Sequence, residues 1–369
     1  MRIILTGGCT GGHIYPALAI GDKFKEMRDD CEIIFVAHAH GLETTIVPKA
    51  GYELKVVKAD WFDRSRPITI PRTLKNTADG TREALKIMKE FKPDIVISTG
   101  SFVSVPVVRA AALYGASIYI QEQNAFPGLS NKLLSKYAKN VFLGFEDGRS
   151  QFREQDKCIY SGNPVRAEFS GRDRLADRKE LGIPEDDIVI MAFGGSLGSA
   201  VINEIGLELI KKYSGMQGVS LIFGTGRNYY DDLCERIKAE GIELSDNIHM
   251  SAYIDGMPRS LSSADIVISR SGALSVAEIT MCKRAAIFVP SPNVTADHQY
   301  YNAKAVADVG GALLFRENEG TKAKVIKAVA KLKDNPQKIR EMELACGELA
   351  PTKATEIIYN KIMKDYEGN

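Results

Sequence analysis

Arg2-Ile3-Ile4-Leu5-Thr6-Gly7-Gly8-Cys9-Thr10-Gly11-Gly12-His13 opens the chain, and Ile188-Val189-Ile190-Met191-Ala192-Phe193-Gly194-Gly195-Ser196-Leu197-Gly198-Ser199-Ala200 repeats its plan near the middle. Each is an apolar β-rich run, a glycine turn and the start of a helical pattern, the first unit of a parallel α/β layer structure. Outward from the first copy come EIIFVA, DIVIST, SIYIQE and NVFLGF, separated by helical patterns over Pro16–Met27 and Asn76–Phe91. Outward from the second come VSLIFG, NIHM, DIVIS, AAIFV and ALLF. Two such series in one chain predict two Rossmann-like domains in tandem, as does the length of 369 residues, since single cores stop growing near roughly 250–300 residues. The charge-dense, glycine- and proline-bearing stretch Ser161–Asp187 predicts the junction, with the boundary near Asn163. A last helical pattern after Pro351, apolar at Ala354, Ile357, Ile358 and Ile362, needs a surface to pack on and is expected to return to the first domain.

Bulk properties narrow the function classes. Lys and Arg total 48 against 47 for Asp and Glu, so no global field exists to hold nucleic acid. Six cysteines without a C-x-x-C pair suggest neither a zinc site nor a disulfide framework, and point to a reduced, cytoplasmic setting. The N-terminal apolar run is too short for a signal-peptide core. Ile95–Ile120 carries one charge, Arg109, but Gly100, Pro106 and Gly115 divide it into strand, loop, helix and strand, which excludes a membrane span.

The glycine turns are where chemistry is expected. A helix N-terminus behind a glycine turn presents backbone amides to an anion. Gly7–His13 departs from G-x-G-x-x-G and lacks the Lys-Ser/Thr ending of a P-loop, so it is either an anion cradle of another kind or a sharp connection only. Gly194–Ser199 adds the hydroxyls of Ser196 and Ser199, and a diphosphate fits it. Arg270–Glu278 forms a third strand-to-helix turn, in which Glu278 is either an acceptor for two vicinal ribose hydroxyls or a solvated helix acid. Asp297–Ala303 gathers polar side chains beside Pro290 and Pro292, as sugar recognition or as a helix start capped by Asp297.

GGCTGGHIYPALAI, QEQNAFPGLSNKLL, GNPVR at 162–166, GGSLGSAVIN, RSGALSVAEI and DHQYYNA, in this order and over nearly the whole chain, resemble glycosyltransferase family 28. The resemblance implies a GT-B fold: α/β, two Rossmann-like domains facing each other across a cleft. It implies an acceptor and membrane-associating domain over 1–163, joined by the helix at about 351–369, and a UDP-N-acetylglucosamine domain over 164–350. The implied reaction is inverting transfer of N-acetylglucosamine to the 4-hydroxyl of undecaprenyl-pyrophosphoryl-MurNAc-pentapeptide in peptidoglycan synthesis, at the cytoplasmic face of the bacterial membrane, without a cofactor. Carried over by position, donor contacts fall on Thr10, Gly11, Gly12, Asn124 and Arg166, then on Ser196, Leu197, Gly198, Tyr253, Ile254, Ser271, Gly272, Ala273, Leu274, Glu278, His298 and Gln299. Within these, Glu278 takes the ribose hydroxyls, the backbone at Ile254 reads the uracil edge, the Ser196 turn with Arg166 holds the diphosphate, and His298 and Gln299 meet the sugar. Acceptor contacts fall on Gly11, Gly12, His13, Gly100, Ser101 and Asn124.

Two positions depart from the family pattern. Ser101 and Val105 stand where members usually carry glycine, which reduces the freedom for close backbone approach. His298 stands where some members have Gln.

An inverting transfer needs a base for the attacking hydroxyl, and His13 is the candidate because imidazole titrates near working pH; its other role would be to hydrogen-bond the acceptor phosphate. No Asp-x-Asp pair is present to hold a bridging metal, which leaves the leaving diphosphate to a helix N-terminus and Arg166. Arg64–Ala78 carries Arg64, Arg66, Arg72 and Lys75 with Ile68, Ile70 and Leu74 and no acid, either an interfacial contact for an anionic membrane or a solvated loop. The competing functions are another GT-B UDP-sugar glycolipid transferase, a UDP-GlcNAc 2-epimerase-like isomerase, and a nucleotide-binding module without catalysis.

Overall fold

In the computed structural model, which describes residues 1–61, 68, 70–195 and 197–368, the chain divides into two compact units: Met1–Arg166 with Lys353–Asn369, and Ala167–Thr352. The division falls after Arg166 instead of Asn163, so Pro164, Val165 and Arg166 go with the first unit.

The first unit is one parallel sheet of seven strands, β1 (Arg2–Thr6), β2 (Glu32–Ala37), β3 (Glu53–Val56), β4 (Ile95–Ser98), β5 (Ser117–Glu122), β6 (Asn140–Leu143) and β7 (Cys158–Tyr160), in the order β3-β2-β1-β4-β5-β6-β7. The interior strands β1, β4 and β5 are nearly continuous apolar runs because both faces are covered by helices. One face packs a core that includes Ile4, Val96 and Val107; the other packs Leu5, Ile14, Phe24 and Phe142. Into this second core the C-terminal helix Ala354–Glu367 inserts Ile358, Ile362 and Met363. Tyr359 meets Phe24 edge to face at 5.0 Å, and Tyr119 Oη donates to Asp365 at 3.2 Å.

The second unit is a six-stranded parallel sheet, β8 (Ile188–Phe193), β9 (Val219–Gly224), β10 (Ile248–Ser251), β11 (Ile266–Ser269), β12 (Ala285–Phe288) and β13 (Ala312–Leu314), in the order β10-β9-β8-β11-β12-β13. Its core centres on Ile190, Ile205, Phe223, Ile268 and Val329.

The two orders share one property. In the first sheet the strand sequence reverses between β1 and β4; in the second it reverses between β8 and β11. At each reversal the terminal residues of the paired strands lie side by side, Thr6 with Ser98 and Phe193 with Ser269. Loops leave such a switch point in opposite directions, and the gap between them is where open α/β sheets bind ligands. Ile95–Ile120 is β4, the helix Ser104–Tyr114 and β5, and no helix among the described residues is long and apolar enough to cross a membrane.

Candidate functional site

Every glycine turn singled out in the sequence leaves one of the four switch-point strands. After β1 comes Gly7–Thr10 and the helix Gly11–Met27; after β4 comes Thr99–Val103 and the helix Ser104–Tyr114. After β8 comes the Gly194 turn and the helix Ala200–Tyr213; after β11 come Arg270–Gly272 and the helix Ala273–Met281. All four helices lack an acidic residue in the first turn. Their N-terminal amides and dipoles are therefore uncancelled by their own sequence, the condition for holding an anion.

In the first unit His13 stands in the first turn of its helix, half-buried. Its Nδ1 lies 2.8 Å from the carbonyl oxygen of Thr99 and 3.1 Å from Gln123 Oε1. A carbonyl only accepts, so Nδ1 carries the hydrogen and donates, which leaves the Nε2 lone pair for proton transfer in the neutral ring. Thr99 closes the linkage from the other side, donating its hydroxyl to the His13 carbonyl at 2.6 Å and to Thr6 O at 3.2 Å. Gln123 is buried and donates Nε2 to Thr99 O at 2.8 Å. The segment from Gln121 to Asn124 thus acts largely as scaffold. Buried Glu122 accepts from Asn124 N at 2.9 Å, Gly128 N at 3.0 Å and Asn131 Nδ2 at 2.8 Å. Asn163 donates Nδ2 to Gln123 O at 2.9 Å and accepts from Gln121 at 3.0 Å. Asn124 is placed by the Glu122 carboxylate.

Thr10 is the extended N-cap residue of the His13 helix, with Gly11 and Gly12 as its first two residues. Cys9 before it has φ 68°, and its amide donates at 3.0 Å to Oε2 of Glu43, a fully buried carboxylate that begins the helix Glu43–Lys49. Burial pushes the Cys9 thiol up, and a hydrogen bond with Ser101 opposes that shift. Thr99, Gln123, Asn163 and Glu43 were not identified as single site residues from the sequence. Their only signal was polarity within runs that otherwise read as buried.

Gly100 has φ 98° and Ser101 φ 78°. Ser101 therefore occupies the left-handed region, at a cost of about 1 kcal/mol. Changing Ser101 to Gly is expected to leave stability within about 0.5 kcal/mol of the native value in denaturant unfolding, because relief of the strain and removal of the hydrogen bond with Cys9 nearly cancel. Ser101→Ala keeps the strain, removes that hydrogen bond and should not stabilise.

Arg166 ends the first unit, with its guanidinium 4.8 Å from the ring centre of Tyr15. It is not part of the second unit, contrary to a donor domain beginning at 164. In the basic segment Ile68 is 91% and Leu74 62% exposed. Arg72 and Lys75 are also exposed, and Ile70 is half-buried at the start of the helix Ile70–Phe91. That helix turns Thr73, Gly80, Ala84 and Met88 inward. Arg64 and Arg66 lie outside the described residues, as does Ser196.

In the second unit Gly198 has φ 86°, and a Cβ there would come within 2.3 Å of Thr225 O and 2.7 Å of the Tyr229 ring. The turn is closed by contact between Gly198 and Gly226 that admits no side chain. Leu197 projects outward, 67% exposed, and Ser199 is the buried N-cap residue of the helix. Ser271 is buried and donates Oγ to Gln299 O at 2.8 Å, while Gln299 Oε1 accepts from Ser291 N at 3.0 Å. These bonds fix the Ser271–Gly272 turn against the start of the helix His298–Asp308, so Ser271, Gly272, His298 and Gln299 form one assembly. Ala273 and Leu274 open the next helix, and half-buried Glu278 follows on it. Tyr253 is partly exposed beneath Arg227, 5.1 Å from the ring centre, and Ile254 is buried against Gly224. Asp297 does not cap the helix: its φ is 53° and its carboxylate pairs with Arg316 at 2.9 Å.

Comparison with known proteins agrees with this layout. The sequence profile described as Glycosyltransferase family 28 N-terminal domain matches residues 3–143, and that of the Glycosyltransferase family 28 C-terminal domain matches 189–357. A protein of Acetivibrio thermocellus named UDP-N-acetylglucosamine--N-acetylmuramyl-(pentapeptide) pyrophosphoryl-undecaprenol N-acetylglucosamine transferase is 37% identical, covering 100% of this chain and 99% of the relative. Among solved structures, MurG of Acinetobacter baumannii superposes with a TM-score of 0.76 at 25% identity, covering 98% of this chain and 99% of that one. A UDP-GlcNAc 2-epimerase from Neisseria meningitidis bound to UDP-GlcNAc gives a TM-score of 0.69 at 15% identity over 99% and 100% of the two chains, a likeness of fold alone.

Proposed function

The chain belongs to glycosyltransferase family 28, with the GT-B fold, and from that premise we propose that it transfers N-acetylglucosamine from UDP-GlcNAc to the 4-hydroxyl of the muramoyl residue of undecaprenyl-pyrophosphoryl-MurNAc-pentapeptide. The structural observation that carries the proposal is the constraint on His13, whose Nδ1 is committed to a backbone carbonyl. In the reaction the acceptor 4-oxygen forms a bond to the anomeric carbon as the bond to UDP breaks, and the hydroxyl proton passes to His13 Nε2. Attack opposite the α-linked UDP gives the β-1,4 product. The departing diphosphate gains negative charge, which the amides before Ala200, with Ser196, Leu197 and Gly198, accommodate. Arg166 supplies further positive charge. Glu278 accepts from the ribose hydroxyls, the backbone at Ile254, after Tyr253, reads the uracil edge, His298 and Gln299 meet the sugar hydroxyls, and Ser271–Leu274 complete the donor contacts. Gly11, Gly12, Gly100, Ser101 and Asn124 hold the acceptor around His13, and Thr10 contacts the donor.

UDP release from UDP-GlcNAc, measured with and without the lipid-linked muramoylpentapeptide, tests the assignment. Release is expected only with the acceptor present; release without it, or epimerisation of the donor alone, would overturn the reading. The epimerase fold likeness makes that control necessary.

An acceptor anchored in a bilayer also requires the protein to reach it, as a peripheral protein at the cytoplasmic face of the cell membrane. Exposed Ile68 and Leu74 beside Arg72 and Lys75 support contact with an anionic surface. Pelleting with anionic-lipid vesicles is expected for the native chain and should fall when Ile68, Ile70 and Leu74 are all changed to Ser. Equal pelleting of both proteins would sink the idea.

A further inference from the structure

The Gly100 turn runs on into an aromatic pair that the reaction above leaves unused. Phe102 meets the indole of Trp61 edge to face with centroids 6.2 Å apart, and meets His38 at 5.7 Å. Trp61 is the chain's single tryptophan, and it is 66% exposed. The residue before it, Asp60, accepts from Asn76 Nδ2 at 2.5 Å and pairs with Arg72 at 3.5 Å. Trp61 is therefore in contact with the turn at one side and tethered through its neighbour to the basic, apolar start of the helix Ile70–Phe91 at the other.

We propose that Trp61 and Phe102 seat the first isoprene units of a polyprenyl diphosphate; this rests on the Gly100 turn being the acceptor diphosphate site. A diphosphate held there has two substituents. The sugar is the one that must reach His13 Nε2, so the lipid is the one that must leave along the protein surface. On that surface the Trp61–Phe102 pair lies beside the turn, tethered through Asp60 to Arg72 and Asn76 of the helix that also bears exposed Leu74. An isoprene unit is apolar, flat and flexible, and it lies well on an indole face that water otherwise covers. A bare lipid surface would use Trp61 without the diphosphate, and a sugar platform would use it without the lipid, so the three occupants are separable.

Because the chain has one tryptophan, its emission reports this position alone. The probe is farnesyl diphosphate in detergent-free buffer, with inorganic diphosphate, farnesol and anionic vesicles titrated separately. A saturable blue shift is expected with farnesyl diphosphate, at concentrations where it inhibits transfer competitively against the lipid-linked acceptor. Inorganic diphosphate should not shift the emission. Phe102→Ala should raise the inhibition constant of farnesyl diphosphate by roughly tenfold, the scale expected for losing about half of one buried aromatic contact, and that of inorganic diphosphate far less. Competitive inhibition without any emission change would overturn the inference while leaving the transfer reaction intact. The same shift from farnesol or vesicles alone would overturn it in favour of plain surface contact. Acceptor-independent UDP release would instead be the failure of the underlying function.

Discussion

Changing His13 to Asn is expected to lower kcat by roughly 10²- to 10⁴-fold, the usual loss on removing a general base. The Asn amide nitrogen occupies nearly the place of Nδ1, so it can still donate to the Thr99 carbonyl that receives the His13 bond at 2.8 Å. What it lacks is anything at Nε2. His13→Asn and His13→Ala should consequently be about equally slow, although only Ala also releases the turn. If His13 merely holds the loops together, Asn will restore most of the rate, and single-turnover kinetics on the native acceptor will distinguish the outcomes. UDP binding to the second unit should be unaffected by either change.

A second large effect is expected from Gly198→Ala. The new methyl would meet the Thr225 carbonyl at 2.3 Å, a backbone atom that cannot swing aside, and the residue would have to keep φ 86°. The combined steric and conformational cost is about 3 kcal/mol or more. The turn is expected to open, lowering the thermal midpoint and weakening UDP by at least about tenfold if 1.4 kcal/mol of that distortion reaches the site. Calorimetry on the full chain, with UDP titrated into the folded variant, measures both. Native affinity for UDP in a destabilised Gly198→Ala protein would separate the turn from donor binding.

Much of the fold was legible because the interior strands of a doubly covered parallel sheet are apolar throughout. RIILT, DIVIST and SIYIQE stand out on that ground alone. The strands that sequence reading missed in the first unit, β3 and β7, are its two edges. Glu53-Leu54-Lys55-Val56 is mostly exposed, and β7 has three residues; neither carries enough apolar periodicity to announce itself. The helix Glu43–Lys49 contains Pro48, a residue that argues against helix.

The site was legible to a different depth. Glycine clusters marked the turns after β1 and β8, and single glycines, Gly100 and Gly272, those after β4 and β11. The residues that orient His13 leave no such mark. Thr99 acts through its carbonyl as much as its hydroxyl, and any residue has a carbonyl. Gln123 and Asn163 lie 40 residues apart and meet only because both follow the carboxyl ends of parallel strands, β5 and β7, that lie close together in one sheet. Such partners are products of topology. The left-handed φ of 78° at Ser101 leaves no trace in its residue type, because serine is common in any conformation.

The first unit is discontinuous in the chain, and this bears on how the protein is made. Its core includes Ile358, Ile362 and Met363, which leave the ribosome only after the whole of Ala167–Thr352. Domains usually fold in the order they emerge, yet here the unit synthesised first is completed last. While Ala167–Thr352 is being translated, the side of the helix Gly11–Met27 that receives Ile358 and Ile362 waits uncovered. Translation that stops just short of the helix Ala354–Glu367 would therefore damage the N-terminal unit and leave the later-made one, Ala167–Thr352, whole.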